Sequence, residues 1–74
     1  MSDRLELVTQ LEQKTALRAR LDARVRQDSA AEPEAAEDPA ALADLELDLN
    51  QLRHRISALD VEIAELERKI ADGD

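Results

Sequence analysis

One periodic pattern in the carboxyl-terminal half of the chain constrains the fold most. Leucine and isoleucine recur there at alternating steps of three and four residues. This spacing fills the a and d positions of a heptad repeat and forms one apolar stripe along a helix. Its nine members are Leu42, Leu45, Leu49, Leu52, Ile56, Leu59, Ile63, Leu66 and Ile70. Since a lone helix would expose this stripe to water, the pattern predicts packing against at least one other helix.

A weaker helical pattern occupies the first part of the chain. Its residues are mostly good helix formers, with no proline or glycine before residue 33. The apolar positions form one broad stripe made of Leu7, Leu11, Leu21 and Val25, with Val8 and Leu17 at its sides. Lys14 and Arg18 fall in the middle of this stripe. We expect their stems to cover apolar surface while their charged ends reach solvent or a neighbouring acid; a binding role for the pair is the alternative.

Proline and composition predict where the first helix ends. Pro33 disfavours helical geometry at Glu32, and the surrounding residues are rich in alanine and glutamate without a stripe. We therefore expect the first helix over residues 1–30 and an acidic loop over 31–38. A loop of this length allows the chain to reverse direction.

Capping residues predict the other helix ends. Asp3 is a suitable N-cap for the first helix. Asp38 followed by Pro39 has the typical composition of a helix start, with an N-cap and then proline at the first helical position. Gly73 suits a C-cap. The second helix is therefore expected within residues 39–74.

These elements predict an all-α fold, an antiparallel two-helix hairpin of the coiled-coil type. With a loop over 31–38, the two stripes face each other in a definite register. The expected neighbours are Val25 with Leu45, Leu21 with Leu49, Leu11 with Leu59, and Leu7 with Ile63. Residues 3–30 carry a net charge of +1 and residues 39–74 a net charge of −5, which favours this association.

A single hairpin of this size is expected to be marginally stable. The chain has 74 residues and no aromatic side chain, so its core must come from aliphatic residues alone. We therefore expect a homodimer, assembled through the second helix into a four-helix bundle. Small and weakly apolar residues on the opposite side of that helix fit a position inside a bundle: Ala43, Leu47, Asn50, His54, Ser57, Val61, Ala64 and Ala71.

Charge pairs leave the orientation of the dimer open. A parallel pair of second helices would bring Asp48 to Arg53 of a second copy. An antiparallel pair would bring Arg55 to Glu62 of that copy, but would also set Glu46 against Glu67. Exposed pairs are each worth about 0–1 kcal/mol, so they give only a slight preference for the antiparallel form.

Composition narrows the function classes. The net charge of −8 disfavours a nucleic-acid partner and an anionic membrane surface. No apolar run is long enough to cross a bilayer and the amino terminus lacks a secretion-type segment, so we expect a cytoplasmic protein. The absence of cysteine excludes disulfides and thiolate chemistry.

The sequence offers no pattern typical of catalysis, of a cofactor site or of a metal site. His54 is the single histidine, and no cysteine or second histidine accompanies it. The only glycine is Gly73, which excludes a glycine-rich phosphate loop. We expect no enzyme activity, no cofactor and no metal.

Two short resemblances bear on the alternatives. The segment 52–60, Leu-Arg-His-Arg-Ile-Ser-Ala-Leu-Asp, resembles the opening helix of the all-helical chorismate mutases. In that family an arginine at the position of Arg53 contributes to an anionic substrate site, but Ile70 occupies the position where the next arginine is expected. A hairpin with an acidic tip is also similar to the N-terminal coiled coil of the Gre transcript-cleavage factors, which enters the RNA polymerase channel. The tip residues here are Glu32, Glu34, Glu37 and Asp38.

The sequence thus predicts a non-enzymatic protein–protein interaction module. It would self-associate and offer its remaining helix surface to another protein, as an adaptor, docking segment, scaffold or small chaperone. The alternative is a nucleic-acid-binding or transcription-associated hairpin that uses Arg18, Arg20, Arg24 and Arg26.

Overall fold

The computed structural model describes residues 2–73, with side chains described from residue 3. Over this range the chain forms two helices and no strand: α1 (Ser2–Ala35) and α2 (Pro39–Asp72). The helices pack against each other along their length. Each has 34 residues, and at about 1.5 Å per residue each is about 51 Å long. The molecule is therefore a rod, 56 × 14 × 13 Å in extent.

The start of α2 confirms the predicted cap. Asp38 has extended backbone geometry, and its Oδ1 accepts a hydrogen bond of 3.1 Å from the amide of Ala40. Its carbonyl accepts the first helical bond, 2.9 Å, from Leu42. Pro39 occupies the first turn, where its missing N–H would have no partner in the helix. These features fix the residue at which α2 begins.

The predicted end of α1 requires correction. The helix does not stop near residue 30 but continues through Pro33 to Ala35, which reduces the loop from 31–38 to 36–38. Pro33 has no N–H, so the backbone hydrogen bond to the carbonyl of Ser29 is missing. The helix tolerates this loss because Pro33 lies in the last turn, where few further backbone hydrogen bonds follow. Three residues later, the amide of Ala36 donates to the carbonyl of Glu32 at 2.9 Å.

The outer ends of the helices agree more closely with the sequence. Gly73 is the C-cap, as predicted, and its amide donates to the carbonyl of Lys69 at 3.0 Å. Its φ of −72° is open to any residue, so the left-handed freedom of glycine is not used there. At the other end α1 begins at Ser2, which places Asp3 inside the first turn rather than at the N-cap. The carboxylate is favourable there because it faces the positive end of the helix dipole.

The core lies between the two helices and is made of leucine. The buried side chains are Leu21, Leu49, Leu52, Leu59 and Leu66. The other five members of the α2 stripe are half-buried: Leu42, Leu45, Ile56, Ile63 and Ile70. A single copy of the chain therefore shields all nine aliphatic positions at least in part.

The register of the hairpin differs from the predicted one by about a heptad. Leu7, expected beside Ile63, lines one cavity with Ile70, and Lys14 reaches Glu62 in the same shifted register. Leu21 packs with Leu52 and Leu59 rather than facing Leu49. The cause is the short turn, which places the point of reversal nearer to α2 and shifts every pair across the interface.

Candidate interaction surfaces

The face of α1 that meets α2 is longer and more polar than the sequence predicted. Its half-buried and buried positions also follow steps of three and four, from Leu7 to Ala35. We call these positions the α1 seam: Leu7, Leu11, Lys14, Arg18, Leu21, Val25, Asp28, Glu32 and Ala35. The apolar pattern does not predict the last three, because two of them are charged and lie near Pro33. Their spacing was the signal that could have revealed them.

Arg18, one of two basic groups in the middle of the α1 seam, holds two carboxylates. Its Nε donates to Oδ1 of Asp60 on α2, and its Nη1 donates to Oδ2 of Asp22 at 2.6 Å. The hydrogen bond from Arg18 holds the pKa of Asp60 below its usual range, although partial desolvation opposes this. The same carboxylates raise the pKa of Arg18, chiefly through the hydrogen bond to Asp60. The guanidinium is thus committed to contacts within the chain.

Lys14, the second basic group, makes an ion pair across the interface. Its Nζ donates to Oε2 of Glu62 at 2.9 Å. Both Lys14 and Arg18 therefore reach acids at the margins of the α2 stripe, as the sequence predicted. Since these side chains are partly exposed, we expect the pairs to specify the register more than to add stability.

Near the turn, the α1 seam brings two acids together instead. Asp28 is half-buried, and its Oδ2 is hidden from solvent with no hydrogen-bond donor among the described residues. Its carboxyl group faces Asp48, and a hydrogen bond between two carboxyl groups requires a proton on one of them. This contact, together with desolvation, raises the pKa of Asp28, while Arg24 lowers it. Arg24 lies 3.7 Å from Oδ2 of Asp48.

The surroundings of Arg53 do not resemble an anion site. Arg53 lines a cleft together with Leu49, Asn50 and the carboxylates of Glu32 and Glu46. A bound anion there would face two negative groups. The arrangement gives no support to the role that an arginine at this position has in the chorismate mutases.

The four arginines considered for nucleic-acid binding are divided by their contacts. Arg18 is held by Asp22 and Asp60, and Arg24 lies near Asp48. Arg20 and Arg26 are exposed, but six residues separate them, which places them on different sides of the helix. These four side chains therefore do not form one basic face.

The side of α2 that faces away from α1 carries exposed apolar residues. Leu47 is 58% exposed and Val61 is 59% exposed. His54 lies midway between them and is exposed, as are the small residues predicted on this side, Ala43, Ser57 and Ala64 among them. We call this side the outer face of α2. It remains uncovered in the single hairpin.

A groove of about 190 Å³ runs along one edge of the hairpin. Its floor is formed by Leu17 and Leu21 of α1 and by Ala58 and Leu59 of α2. Arg55 and Glu62 of α2 complete its lining. We call it the Leu17 groove, after its exposed leucine, which is 38% exposed.

No cluster of three or more potential metal ligands occurs among residues 2–73. Within the same range neither helix is long and apolar enough to cross a membrane. Comparison of the chain with protein-family models, with curated proteins and with solved structures gave no significant match. The geometry of the hairpin is therefore the basis for assigning a function.

Proposed function

We propose that the chain is a non-enzymatic protein–protein interaction module, a helical hairpin that self-associates and presents a remaining helix face to another protein. The incomplete burial of its aliphatic side chains carries this proposal. The rod is 14 × 13 Å across, one helix pair thick. Four of the α2 stripe positions are buried and five are half-buried. A second layer of helices would remove more of this apolar surface from water.

Self-association uses the edges of the hairpin rather than the α2 stripe itself. The α1 seam covers that stripe within one chain, so a second copy meets the margins of the helix pair. Two hairpins packed in this way form the four-helix bundle that the sequence predicts.

The outer face of α2 supports contact with a different protein. Leu47 and Val61 are exposed apolar side chains on that face, with small and polar residues between them. Helices often dock through a few apolar anchors on one face. The nucleic-acid alternative gains nothing from the structure, because Arg18 makes its contacts within the chain.

Sedimentation velocity over a range of micromolar concentrations tests the proposal. We expect a mass of twice the chain and a melting temperature that rises with concentration, because association stabilises the folded state by mass action. A folded monomer whose melting temperature is independent of concentration would contradict self-association. The melting curve is followed by helical circular dichroism, so loss of fold and loss of association are separated.

A further inference from the structure

The Leu17 groove combines an apolar floor with opposite charges on the α2 edge. Leu17 and Leu21 face Ala58 and Leu59 across it. The small side chain of Ala58 leaves space between the helices, and Leu17 remains 38% exposed beside that space. Arg55 and Glu62 lie one heptad apart along the same edge. Both helices thus contribute apolar surface to this depression, and charged side chains of α2 line its edge.

The charges at this groove are only partly used within the chain. Among residues 3–73, Arg55 has no ion pair. Oε2 of Glu62 accepts the hydrogen bond from Lys14, and Oε1 of Glu62 takes no part in that contact. A cation and an anion seven residues apart are therefore both available to an incoming surface.

We infer that the Leu17 groove is the self-association face and that its occupant is the same groove of a second copy of this chain. The inference rests on the proposed function, since it assumes that the hairpin dimerises. A two-fold axis crosses the helices at the level of Ala58 and sets the two α2 helices antiparallel. Arg55 of each copy then meets Glu62 of the other, and two identical ion pairs form at the margin.

Charge pattern selects this orientation. A parallel arrangement would put Arg55 level with Arg55 of the second copy, and Glu62 level with Glu62. Like charges at the same level are destabilising. In the antiparallel arrangement the same two residues are complementary, and each copy supplies one member of each pair.

Both helices of the hairpin contribute to the contact. Leu17 lies across the groove from Ala58, so the two-fold axis that passes near Ala58 also brings the two Leu17 side chains together. They fill the depressions left beside the alanines. The Leu17 side chains thus form the apolar centre of the interface, with charges at its rim.

The outer face of α2 is less suited to a second copy. Leu47 and Val61 are separated by two heptads, which is about 21 Å along the helix. Asn50, His54 and Ser57 lie between them on that face. Isolated exposed apolar side chains of this kind are normal on a protein surface, and the outer face has no depression shared by both helices.

Charge reversal in separate chains tests the inference. Arg55→Glu and Glu62→Arg are made as two variants, and the dimer dissociation constant is measured by sedimentation equilibrium. Each variant alone would place like charges at both ends of the interface, so we expect each to dimerise about tenfold more weakly. An equimolar mixture of the two variants would pair opposite charges at both ends. We expect it to form a heterodimer at least as tight as the wild-type dimer.

Matched controls separate the groove from a general effect of charge. Arg53→Glu makes the same change two residues away, outside the groove, and is expected to leave dimerisation within about twofold of wild type. Leu17→Glu should abolish dimerisation while helicity is retained, whereas Leu47→Glu on the outer face should preserve it. Glu62→Arg removes the ion pair between Lys14 and Glu62, whereas Leu17→Glu keeps it. Leu17→Glu therefore still tests the interface if the loss of this ion pair unfolds the Glu62→Arg variant.

The outcomes distinguish the two proposals. A wild-type chain that stays monomeric overturns the proposed self-association, and with it this inference. A wild-type dimer that survives Leu17→Glu but is lost on Leu47→Glu overturns the groove as the interface and leaves the proposed function intact. Homodimers of unchanged affinity for both charge variants, with no preference for the mixed dimer, would also exclude the antiparallel pairing.

Discussion

The half of the hairpin near the turn and the half near the chain ends share one fold but differ in charge. Residues 27–52 contain eight acidic side chains and no basic one, which accounts for the entire net charge of −8. The rest of the chain contains ten acidic and ten basic side chains. We call these the turn half and the open half.

The polar positions of the α1 seam meet opposite charges of α2 in the open half and a like charge in the turn half. In the open half, Lys14 and Arg18 meet Glu62 and Asp60 of α2. In the turn half, Asp28 faces Asp48, another acid. Leucine is nevertheless buried in both halves. The comparison indicates that packing of leucine defines the fold, while the charges decide how stability depends on solution conditions.

The largest expected loss of stability comes from truncating a buried leucine. It tests whether leucine packing stabilises both halves. Leu49→Ala in the turn half and Leu59→Ala in the open half should each lower the free energy of unfolding by about 2–4 kcal/mol, because each leaves a cavity between the helices. Urea unfolding measures this loss. Leu47→Ala, at a position 58% exposed, is the control and should cost less than about 0.5 kcal/mol. A small effect at only one of the two buried sites would show that the halves are held differently.

The two aspartates should respond in opposite directions to removal of charge. Asp28→Asn should raise the melting temperature at neutral pH by a few degrees, because the amide can donate to Asp48 where two carboxylates repel. Asp60→Asn should lower it, since Arg18 loses a charged acceptor. Thermal unfolding is followed by circular dichroism. Glu34→Gln removes the same charge from an exposed position close to Asp28 in sequence and should change the melting temperature less. An equal rise in melting temperature for Glu34→Gln would show that Asp28→Asn acts only through the net charge.

The pH dependence should follow from the same two groups. The pKa of Asp28 is raised, so the folded state binds a proton at a pH where the unfolded chain does not, and stability should rise as the pH falls through this raised value. The pKa of Asp60 is lowered, so its contribution is present above about pH 4 and is lost as the pH falls through its folded value. Melting temperatures should therefore increase on mild acidification and then decrease.

Asp28→Asn provides the control for this pH profile. The variant should lose part of the increase on mild acidification and keep the decrease at lower pH. An unchanged profile in the variant would show that Asp28 does not titrate as its position between the helices implies.

Ionic strength should have the smallest effect on stability, and the direction of that effect should differ between the two halves. Raising ionic strength from about 0.1 M to 1 M shortens the screening length from about 10 Å to about 3 Å. Repulsion among the acids of the turn half should weaken, and amide hydrogen exchange near Asp44 and Asp48 should slow. Exchange near Lys14 and Arg18 should stay constant or quicken, because attractive pairs are screened there. Uniform slowing along both helices would contradict the division.

The sequence predicts most of the fold because its main signals are local. The heptad stripe of α2, the cap at Asp38 and Pro39, and the C-cap at Gly73 each depend on a few neighbouring residues. The reach of Lys14 and Arg18 to acids of α2 was predictable from their place in an apolar stripe. Dimerisation, the location in the cell and the partner remain predictions.

The register was not predictable from the apolar pattern because a shift of one heptad preserves it. Leu7 meets an isoleucine of the α2 stripe in either register, Ile63 or Ile70. Only the length of the turn distinguishes the two, and that length depends on whether α1 passes through Pro33. The seam positions Asp28 and Glu32 are charged, so the hydrophobic pattern gives no sign that the helix continues.

The most direct test is an isotope-filtered nuclear Overhauser experiment on a mixture of labelled and unlabelled chains. It distinguishes methyl contacts within one chain from contacts between chains. The closed hairpin predicts contacts of Leu7 with Ile70, and of Leu21 with Leu52 and Leu59, all within one chain. Contacts of Leu7 with Ile63, or a Leu21–Leu52 contact that appears only between chains, would contradict the closed hairpin.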